Sequence, residues 1–249
     1  MWPSCVERCG NSFNSCIGRA YGHLVHILHG DDWVKDGFYA KLQAAFDNDP
    51  SIGAAFCRSN YVDQDGADVG TTEMEEEQAG VIDDWLVRII RRQRVCTPSM
   101  VVRRAVYERL GGFDPSFKTA GEDWEMWVRI AAYYPVWYEP QALACYRVAR
   151  PGSLTANASR TTRVAGDMRR ACDIINRRLR REVSVRDLAS HLTAARLFYA
   201  GWSLNAAQKS LETAGVLRVL PYLKEAYLCY PTAWMARRIM RLVRRRPLD

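Results

Sequence analysis

The sequence predicts an α/β domain followed by an α-helical extension. Segments with the period of strands alternate with helical segments up to about residue 155, and the period is helical from about residue 160 to the end. The charge changes at the same place: residues 1–155 carry 16 Lys and Arg against 21 Asp and Glu, whereas residues 156–249 carry 19 against 7. We therefore expect an α/β domain over 1–155 and a basic α-helical region over 156–249.

The composition is that of an ordinary folded protein. Of the 249 residues, 48% are apolar and 25% are charged, which argues against a disordered chain. No run approaches the roughly 18 consecutive apolar residues that a membrane-spanning helix needs. The first eight residues lack the basic and apolar regions of a signal peptide, so we expect a cytoplasmic protein.

In chain order, the first half of the α/β domain is predicted to hold a helix over 12–20, a strand over 23–28, a helix over 38–48, a strand over 52–62 and an acidic loop over 68–80. The first strand has apolar residues around two histidines, and the second contains the buried-strand pattern Gly53-Ala-Ala-Phe-Cys57. The second helix has apolar residues at the helical period, and Asp49-Pro50 ends it. Four glutamates between residues 73 and 77 predict that the acidic loop is mobile.

The second half is predicted to hold a helix over 81–92, a strand over 98–103, a helical turn over 104–110, a helix from 121, and strands over 136–140 and 142–146. Gly111-Gly112 would cap the helical turn. In the helix from 121, Trp124, Trp127 and Val128 share one face, which predicts burial of that face. Glycine or proline at 215, 221 and 231 is expected to interrupt the helices of the C-terminal region.

Asp31 and Asp32 follow the first predicted strand directly. Two adjacent carboxylates beside a buried strand are costly unless they bind something positive, and the carboxyl ends of strands in an open α/β sheet border the ligand crevice. Carboxylate oxygens suit Mg²⁺ or Mn²⁺, which share phosphate oxygens with a substrate. The alternative is a loop turn in which one aspartate caps the next helix.

Glu122 and Asp123 begin the helix from 121. An acidic pair at a helix N-terminus is often only a partner for the helix dipole. The functional interpretation is a general base held at the mouth of the same sheet.

The order of these motifs resembles family 2 glycosyltransferases of the GT-A fold over roughly residues 10–155. The residues that resemble the central segment of that family are Asn14, Ile17, Ala20, Gly22, Val25, Leu28-His-Gly-Asp31-Asp32-Trp33 and Gly37-Phe38. Those that resemble its acceptor half are Val102 to Arg104, Val106-Tyr107, Gly111-Gly-Phe-Asp114, Glu122-Asp-Trp124, Trp127 and Arg129. Tyr146-Arg147 and Pro151 to Thr155 resemble its closing segment.

The resemblance implies a mixed sheet with helices and an inverting transfer of a sugar. Asp31 and Asp32 would bind Mg²⁺ or Mn²⁺ and the diphosphate of a nucleotide-diphospho-sugar donor. Asp123 would deprotonate the acceptor hydroxyl, with Glu122 orienting the loop or the acceptor. The acceptor would be a glycan or a lipid-linked glycan, as in synthesis of cell-envelope polysaccharide. Further substrate-binding residues would be His29, Trp124, Arg147 and Arg150; the alternative for the two arginines is that their stems cover the sheet edge.

Two features depart from the family pattern. His29 stands where the family has the first acid of its Asp-x-Asp, either as a ligand or ribose contact or as a satisfied histidine at a strand end. The strand, helix and strand that hold the nucleotide base, some 60 residues in all, do not precede Ser12. We therefore expect a truncated GT-A domain, and the alternative to an enzyme is a catalytically inactive fragment or a partner subunit.

The C-terminal segment 233–246 is predicted to form a basic amphipathic helix. One side collects Met235, Ile239, Met240, Leu242 and Val243, and the other collects Arg237, Arg238, Arg241, Arg244 and Arg245. This pattern indicates either peripheral contact with anionic lipid at the inner membrane face or a helix packed on the domain with a solvated basic face. Residues 184–192 also resemble the first helix of a DNA-binding helix-turn-helix, but residues 193–205 continue as apolar helix, so no nucleic acid is expected.

Overall fold

A mixed seven-stranded sheet lies at the centre of the computed structural model, which describes residues 9–148, 163–182, 187–214 and 216–244. Its strands are β1 (Leu24–His26), β2 (Trp33–Val34), β3 (Ala54–Val62), β4 (Asp68–Thr71), β5 (Gly80–Val81), β6 (Met100–Arg103) and β7 (Val136–Arg147). The helices of the α/β part are α1 (Cys9–Arg19), α2 (Phe38–Asn48), α3 (Trp85–Arg91), α4 (Arg104–Leu110) and α5 (Glu122–Ala131), with a 3-10 turn at Thr97–Ser99. The C-terminal helices are α6 (Arg163–Glu182), α7 (Leu188–Ala214), α8 (Val216–Cys229) and α9 (Ala233–Arg244).

The strand order is β1-β6-β3-β7-β2, with β4 added to β3 and β5 added to β7. β3 and β7 run parallel from the pair Ala54 and Val136 to the pair Val62 and Arg147, and the other pairings in the described sheet are antiparallel. The central strand β3 is covered on both faces, which explains the apolar run over residues 54–57 at its start. The two strands predicted over 136–140 and 142–146 are one strand whose register against β3 shifts beside Arg58. A local bulge interrupts the sequence pattern without ending the strand.

Helices cover both faces of the sheet. On one face, Phe38, Leu42 and Phe46 of α2 pack on Ala55 and neighbouring strand residues. On the other, α3, α5 and the C-terminal helices form a single larger hydrophobic core with the sheet. Trp124 of α5 meets Tyr199 of α7 at a ring-centroid distance of 5.3 Å within this core. The predicted domain boundary at 155 falls outside the described residues and stays a prediction.

The segment predicted as a mobile acidic loop contains structure. It includes β4 and β5, and its glutamates pair with arginines that follow α3. Arg94 holds Glu75 through two hydrogen bonds, of 2.7 and 2.9 Å, and Arg92 pairs with Glu73. The partners are 19 residues apart, so no local pattern revealed the contact.

The C-terminal region is helical in the described residues, as predicted. Pro221 does not interrupt it but lies exposed inside α8, which continues with one backbone donor fewer. α7 continues unbroken from Leu188 through the predicted apolar stretch, so these residues form no helix-turn-helix. None of the described helices combines the length and hydropathy needed to cross a bilayer.

Candidate functional site

A cavity of about 900 Å³ collects most of the predicted site residues. Its walls come from the segment after β1, the ends of β3 and β7, the stretch between α3 and β6, the loop before α5, and α6. The predicted site residues that line it are His29, Asp31, Glu122, Asp123 and Arg147. The sequence motifs that carry acids are thus brought to one place, although they are about 90 residues apart in the chain.

Asp32 lies behind this wall and fastens the segment after β1 to the end of β7. Its carboxylate is 1% exposed; Oδ1 accepts the backbone N–H of Arg147 at 2.8 Å, and Oδ2 lies 3.3 Å from Nδ1 of His29. The Arg147 guanidinium donates to the carbonyls of Asp31, Asp63 and Gln64, at 3.1, 2.6 and 2.6 Å, and lies over the Trp33 ring. Both residues therefore fix the shape of the site, and Asp31 is the aspartate that faces the cavity.

His29 is placed between aromatic and acidic neighbours. Its ring stacks on Phe13 of α1 with a centroid distance of 5.4 Å. Burial acts to lower the pKa of His29, but the hydrogen bond and charge of Asp32, with the charges of Asp123 and Asp31, outweigh it and raise the pKa. His29, where the sequence departs from the family pattern, therefore favours its protonated, cationic form. It lies between the two acidic motifs.

Glu122 and Asp123 open α5 directly after Gly121, whose φ of 90° turns the chain into the helix. Asp123 Oδ2 accepts a hydrogen bond from the Thr97 hydroxyl at 3.2 Å, and Oδ1 accepts the N–H of Trp124 at 2.7 Å. Burial raises the pKa of Asp123, and these hydrogen bonds oppose the rise. Its position at the cavity wall makes it accessible to a ligand hydroxyl.

Glu122 is the less satisfied member of the acidic pair. The residue is 7% exposed, and its Oε2 has no hydrogen-bond partner among the described residues. Burial, together with the charge of Asp123, raises the pKa of Glu122 to about 7. The pKa values of both adjacent carboxyl groups are thus raised, and burial is the largest cause in each case.

Comparison with known families decides the relationship. Residues 8–156 match the model of glycosyltransferase like family 2. The chain belongs to this family. A comparison with curated proteins finds no match.

Solved structures show that this family 2 chain has the GT-A fold. It is similar to TarS 1–349 of S. aureus, with a TM-score of 0.59 and 15% identity over 94% of this chain and 63% of that one. A longer TarS structure gives 0.58 and 16%, with 94% and 38% covered. The mannosyltransferase PcManGT from Pyrobaculum calidifontis, in complex with GDP-Man and Mn²⁺, gives 0.49 and 18%, with 94% and 63% covered. The chain thus spans less than two thirds of the length of each of these structures.

The predicted residue Trp124 belongs to the core of the family 2 domain rather than to the cavity wall. Its side chain is fully buried, and Nε1 donates to the carbonyl of Ile89 at 2.6 Å. Its contribution is therefore to seat α5 against α3, and any effect on a substrate is indirect. Arg150 and the segment 151–155 lie outside the described residues.

Several cavity residues carry no recognisable signal in the sequence. Thr97 holds Asp123, and Gln93, whose backbone N–H donates to the Tyr199 hydroxyl at 3.0 Å, lies beside it. The paired side chains of Arg94 and Glu75 form part of the wall. A threonine before a proline and arginines after a helix are too common to mark a site by themselves.

A divalent cation at this site would have to be shared with a ligand. Among the described residues, no three His, Cys, Asp or Glu side chains form a group that would enclose a metal ion. Mg²⁺ is commonly held by one or two carboxylates and completes its shell with water and phosphate oxygens. Asp31 faces the cavity and suits such a shared arrangement, whereas the Asp32 carboxylate is 1% exposed and lies behind the wall.

Proposed function

We propose that this family 2 chain transfers a sugar from a nucleotide-diphospho-sugar to an acceptor hydroxyl with inversion at the anomeric carbon. One observation supports the proposal. Asp31 and His29, from the segment after β1, line the same cavity as Glu122 and Asp123, from the start of α5. Sugar transfer requires groups that bind the donor diphosphate and a base for the acceptor hydroxyl at one place.

In the proposed reaction, Asp123 takes the proton of the acceptor hydroxyl while that oxygen attacks the anomeric carbon. The bond to the diphosphate breaks on the opposite face of the sugar, and the nucleoside diphosphate leaves. Thr97 orients the Asp123 carboxylate through its hydroxyl hydrogen bond. Glu122, next to Asp123 and titrating near neutral pH, adjusts the charge of the pair and orients the loop.

The residues proposed to bind the sugar donor are Asp31 and His29. A divalent cation, when bound, neutralises charge on the leaving diphosphate. Asp31 would hold it, with Asp32 positioning the segment from behind the cavity wall, and the raised pKa of His29 favours a positive charge where the family has an acid. Arg147 keeps Asp31 and Asp32 in place through its backbone and side-chain donors.

The test compares Asp31→Asn and Asp123→Asn with Asp36→Asn and Glu108→Gln, two exposed acids outside the cavity. Hydrolysis and transfer are measured with a panel of nucleotide-diphospho-sugars and Mn²⁺, and binding of the matching nucleoside diphosphate is measured by calorimetry. We expect Asp123→Asn to lower the rate about 100-fold or more with binding retained, and Asp31→Asn to weaken Mn²⁺-dependent binding.

Unchanged rates and binding in both site variants, with the control variants also unchanged, would overturn the proposal. Binding of nucleoside diphosphate without turnover in the native chain would favour the alternative of a partner subunit that lacks catalysis by itself.

We further propose that the acceptor is a glycan or lipid-linked glycan, and that α9 brings the chain to an anionic membrane at its cytoplasmic face. The apolar side of α9 is mostly used for internal packing, because Met235 is buried and Ile239, Leu242 and Val243 pack on the core. What faces solvent is Trp234, Met240 and four arginines, at 237, 238, 241 and 244. Contact with lipid would therefore be mainly electrostatic, with Trp234 at the headgroup level.

A further inference from the structure

Helix α6, the first described helix of the basic region, reaches the loop that leads into the acidic pair. Asp167 Oδ2 accepts the backbone N–H groups of Thr119 and Ala120, at 2.8 and 3.3 Å. Gly121 follows directly and packs closely on α6: a Cβ atom there would lie 3.5 Å from the Asp167 carbonyl oxygen and 3.5 Å from Ala171. One carboxylate of α6 thus satisfies two donors just before the start of α5.

A second bridge from α6 holds the body of α5. Arg178 donates to Glu125 at 2.8 Å and to Asp114 at 3.3 Å. Glu125 is 1% exposed and also receives two hydrogen bonds from Arg129, whose guanidinium binds the carbonyl of Gly112. The loop from 111 to 121 is therefore fastened at both ends, and α6 contributes to both attachments.

α6 also forms part of the cavity surface. Val164 and Met168 line the cavity together with Thr119 and Ala120, and they flank Asp167 in sequence. The same turn of helix therefore supplies the wall of the cavity and the acceptor for the loop amides.

We propose that Asp167 is a positioning residue that fixes the start of α5 so that Asp123 presents its carboxylate to the cavity. This inference rests on the proposed function for its catalytic consequence, but the positioning itself is a property of the fold. Asp167 has a second effect, because its charge favours the protonated form of Glu122. Hydrogen bonding and charge are separable, since asparagine keeps an accepting oxygen and loses the charge.

The first experiment needs no activity. Amide hydrogen exchange at Thr119 and Ala120 and the pH titration of the Glu122 carboxyl are measured by NMR in Asp167→Ala, Asp167→Asn and the control Asp173→Ala. Asp173 lies on the same helix and pairs with Arg196 rather than with the loop. We expect Asp167→Ala to speed exchange at both amides about tenfold or more, Asp167→Asn to keep most of the protection, and both to lower the pKa of Glu122.

Unchanged exchange at Thr119 and Ala120 in Asp167→Ala would overturn the proposal, whatever the activity of the chain. In an active preparation, Asp167→Ala should lower kcat by about 100-fold at an unchanged donor KM, because misplacement of about 1 Å costs roughly that much, and Asp167→Asn should restore most of it. Loss of amide protection with kcat unchanged would also overturn it. Failure of Asp31→Asn and Asp123→Asn to affect rate or binding would instead remove the proposed function and leave the exchange result standing.

Discussion

At the residue scale, Glu122 combines burial with a raised pKa. Its carboxylate is buried beside Asp123, and one oxygen lacks a hydrogen-bond partner there. A structural carboxylate at a helix N-terminus is normally satisfied by backbone donors and has a low pKa. The raised pKa of Glu122 therefore means that its charged form lowers the stability of the folded chain. An acid–base function would explain this cost.

This cost predicts a pH dependence of stability. The ordinary pKa of 4.5 rises to about 7 on folding, so the folded state holds more protons than the unfolded state between these values. Stability should therefore fall as pH rises from about 4.5 to 7, by on the order of 3 kcal/mol. Urea unfolding at pH 5 and pH 8 should show that Glu122→Gln loses this part of the difference, while Glu108→Gln keeps it. Equal pH slopes for native protein and Glu122→Gln would contradict the assignment.

At the element scale, α9 packs its apolar side on the core and exposes its basic side to solvent. Met235 anchors it to the core, and its exposed arginines have no acidic residue on the same helix. Arg238 lies over the Trp234 ring at 5.0 Å, so the aromatic ring is held at the charged surface. The packed-helix and lipid-contact interpretations are thus compatible.

The lipid proposal predicts salt-sensitive binding to vesicles. Flotation with phosphatidylcholine vesicles containing an anionic lipid should recover the chain at low salt and lose it at high salt. Arg241→Glu should weaken partitioning roughly tenfold, since each basic residue near the surface contributes about 1 kcal/mol. Arg19→Glu on α1 gives the same change of net charge as a control. Partitioning that is insensitive to salt and to Arg241→Glu would end the proposal.

At the scale of the whole molecule, the sheet and the C-terminal helices share one core. Tyr199 of α7 is 6% exposed, packs on Trp124 of α5 and accepts the Gln93 amide hydrogen. Phe198, its neighbour, is 44% exposed and contacts Arg92 from outside. We therefore expect the described parts to unfold together, even though the sequence suggests two regions.

Two adjacent aromatic residues provide a matched test. Tyr199→Ala should destabilise the whole chain by about 3 kcal/mol or more, because it leaves a large cavity and an unpaired amide. Phe198→Ala should cost less than about 1 kcal/mol. Both are measured by urea denaturation followed by tryptophan fluorescence and by circular dichroism. Two separate transitions, with only the helical one shifted by Tyr199→Ala, would contradict a shared core.

The parts of this molecule that were predictable from sequence are those in which function leaves a local pattern. The family and the GT-A fold are implied by the resemblance of short motifs, the C-terminal helices follow from periodicity, and all three are confirmed. The roles assigned to Asp31, Glu122 and Asp123 remain predictions, although the structure brings these residues to one cavity.

What sequence could not supply is contact between distant segments. Nothing near Asp167 marks it as the acceptor for amides 47 and 48 residues earlier. Likewise, the sequence predicts a mobile acidic loop, but ion pairs with distant arginines order Glu73 and Glu75 in the wall of the cavity. Trp124 is assigned to substrate only through the resemblance, and its ring lies in the core, on the helix face that the sequence period predicts to be buried.

The hydrogen bond from the Arg147 amide to Asp32 joins residues 115 positions apart. During synthesis on a ribosome, Asp31 and Asp32 leave the exit tunnel long before the strand that holds them exists. Closing so long a loop is entropically unfavourable, although the cost grows only slowly with length. The proposed donor side of the site should therefore form only after β7 has joined the sheet, and under the proposed function a nucleotide ligand would stabilise the folded chain rather than guide the early steps of folding.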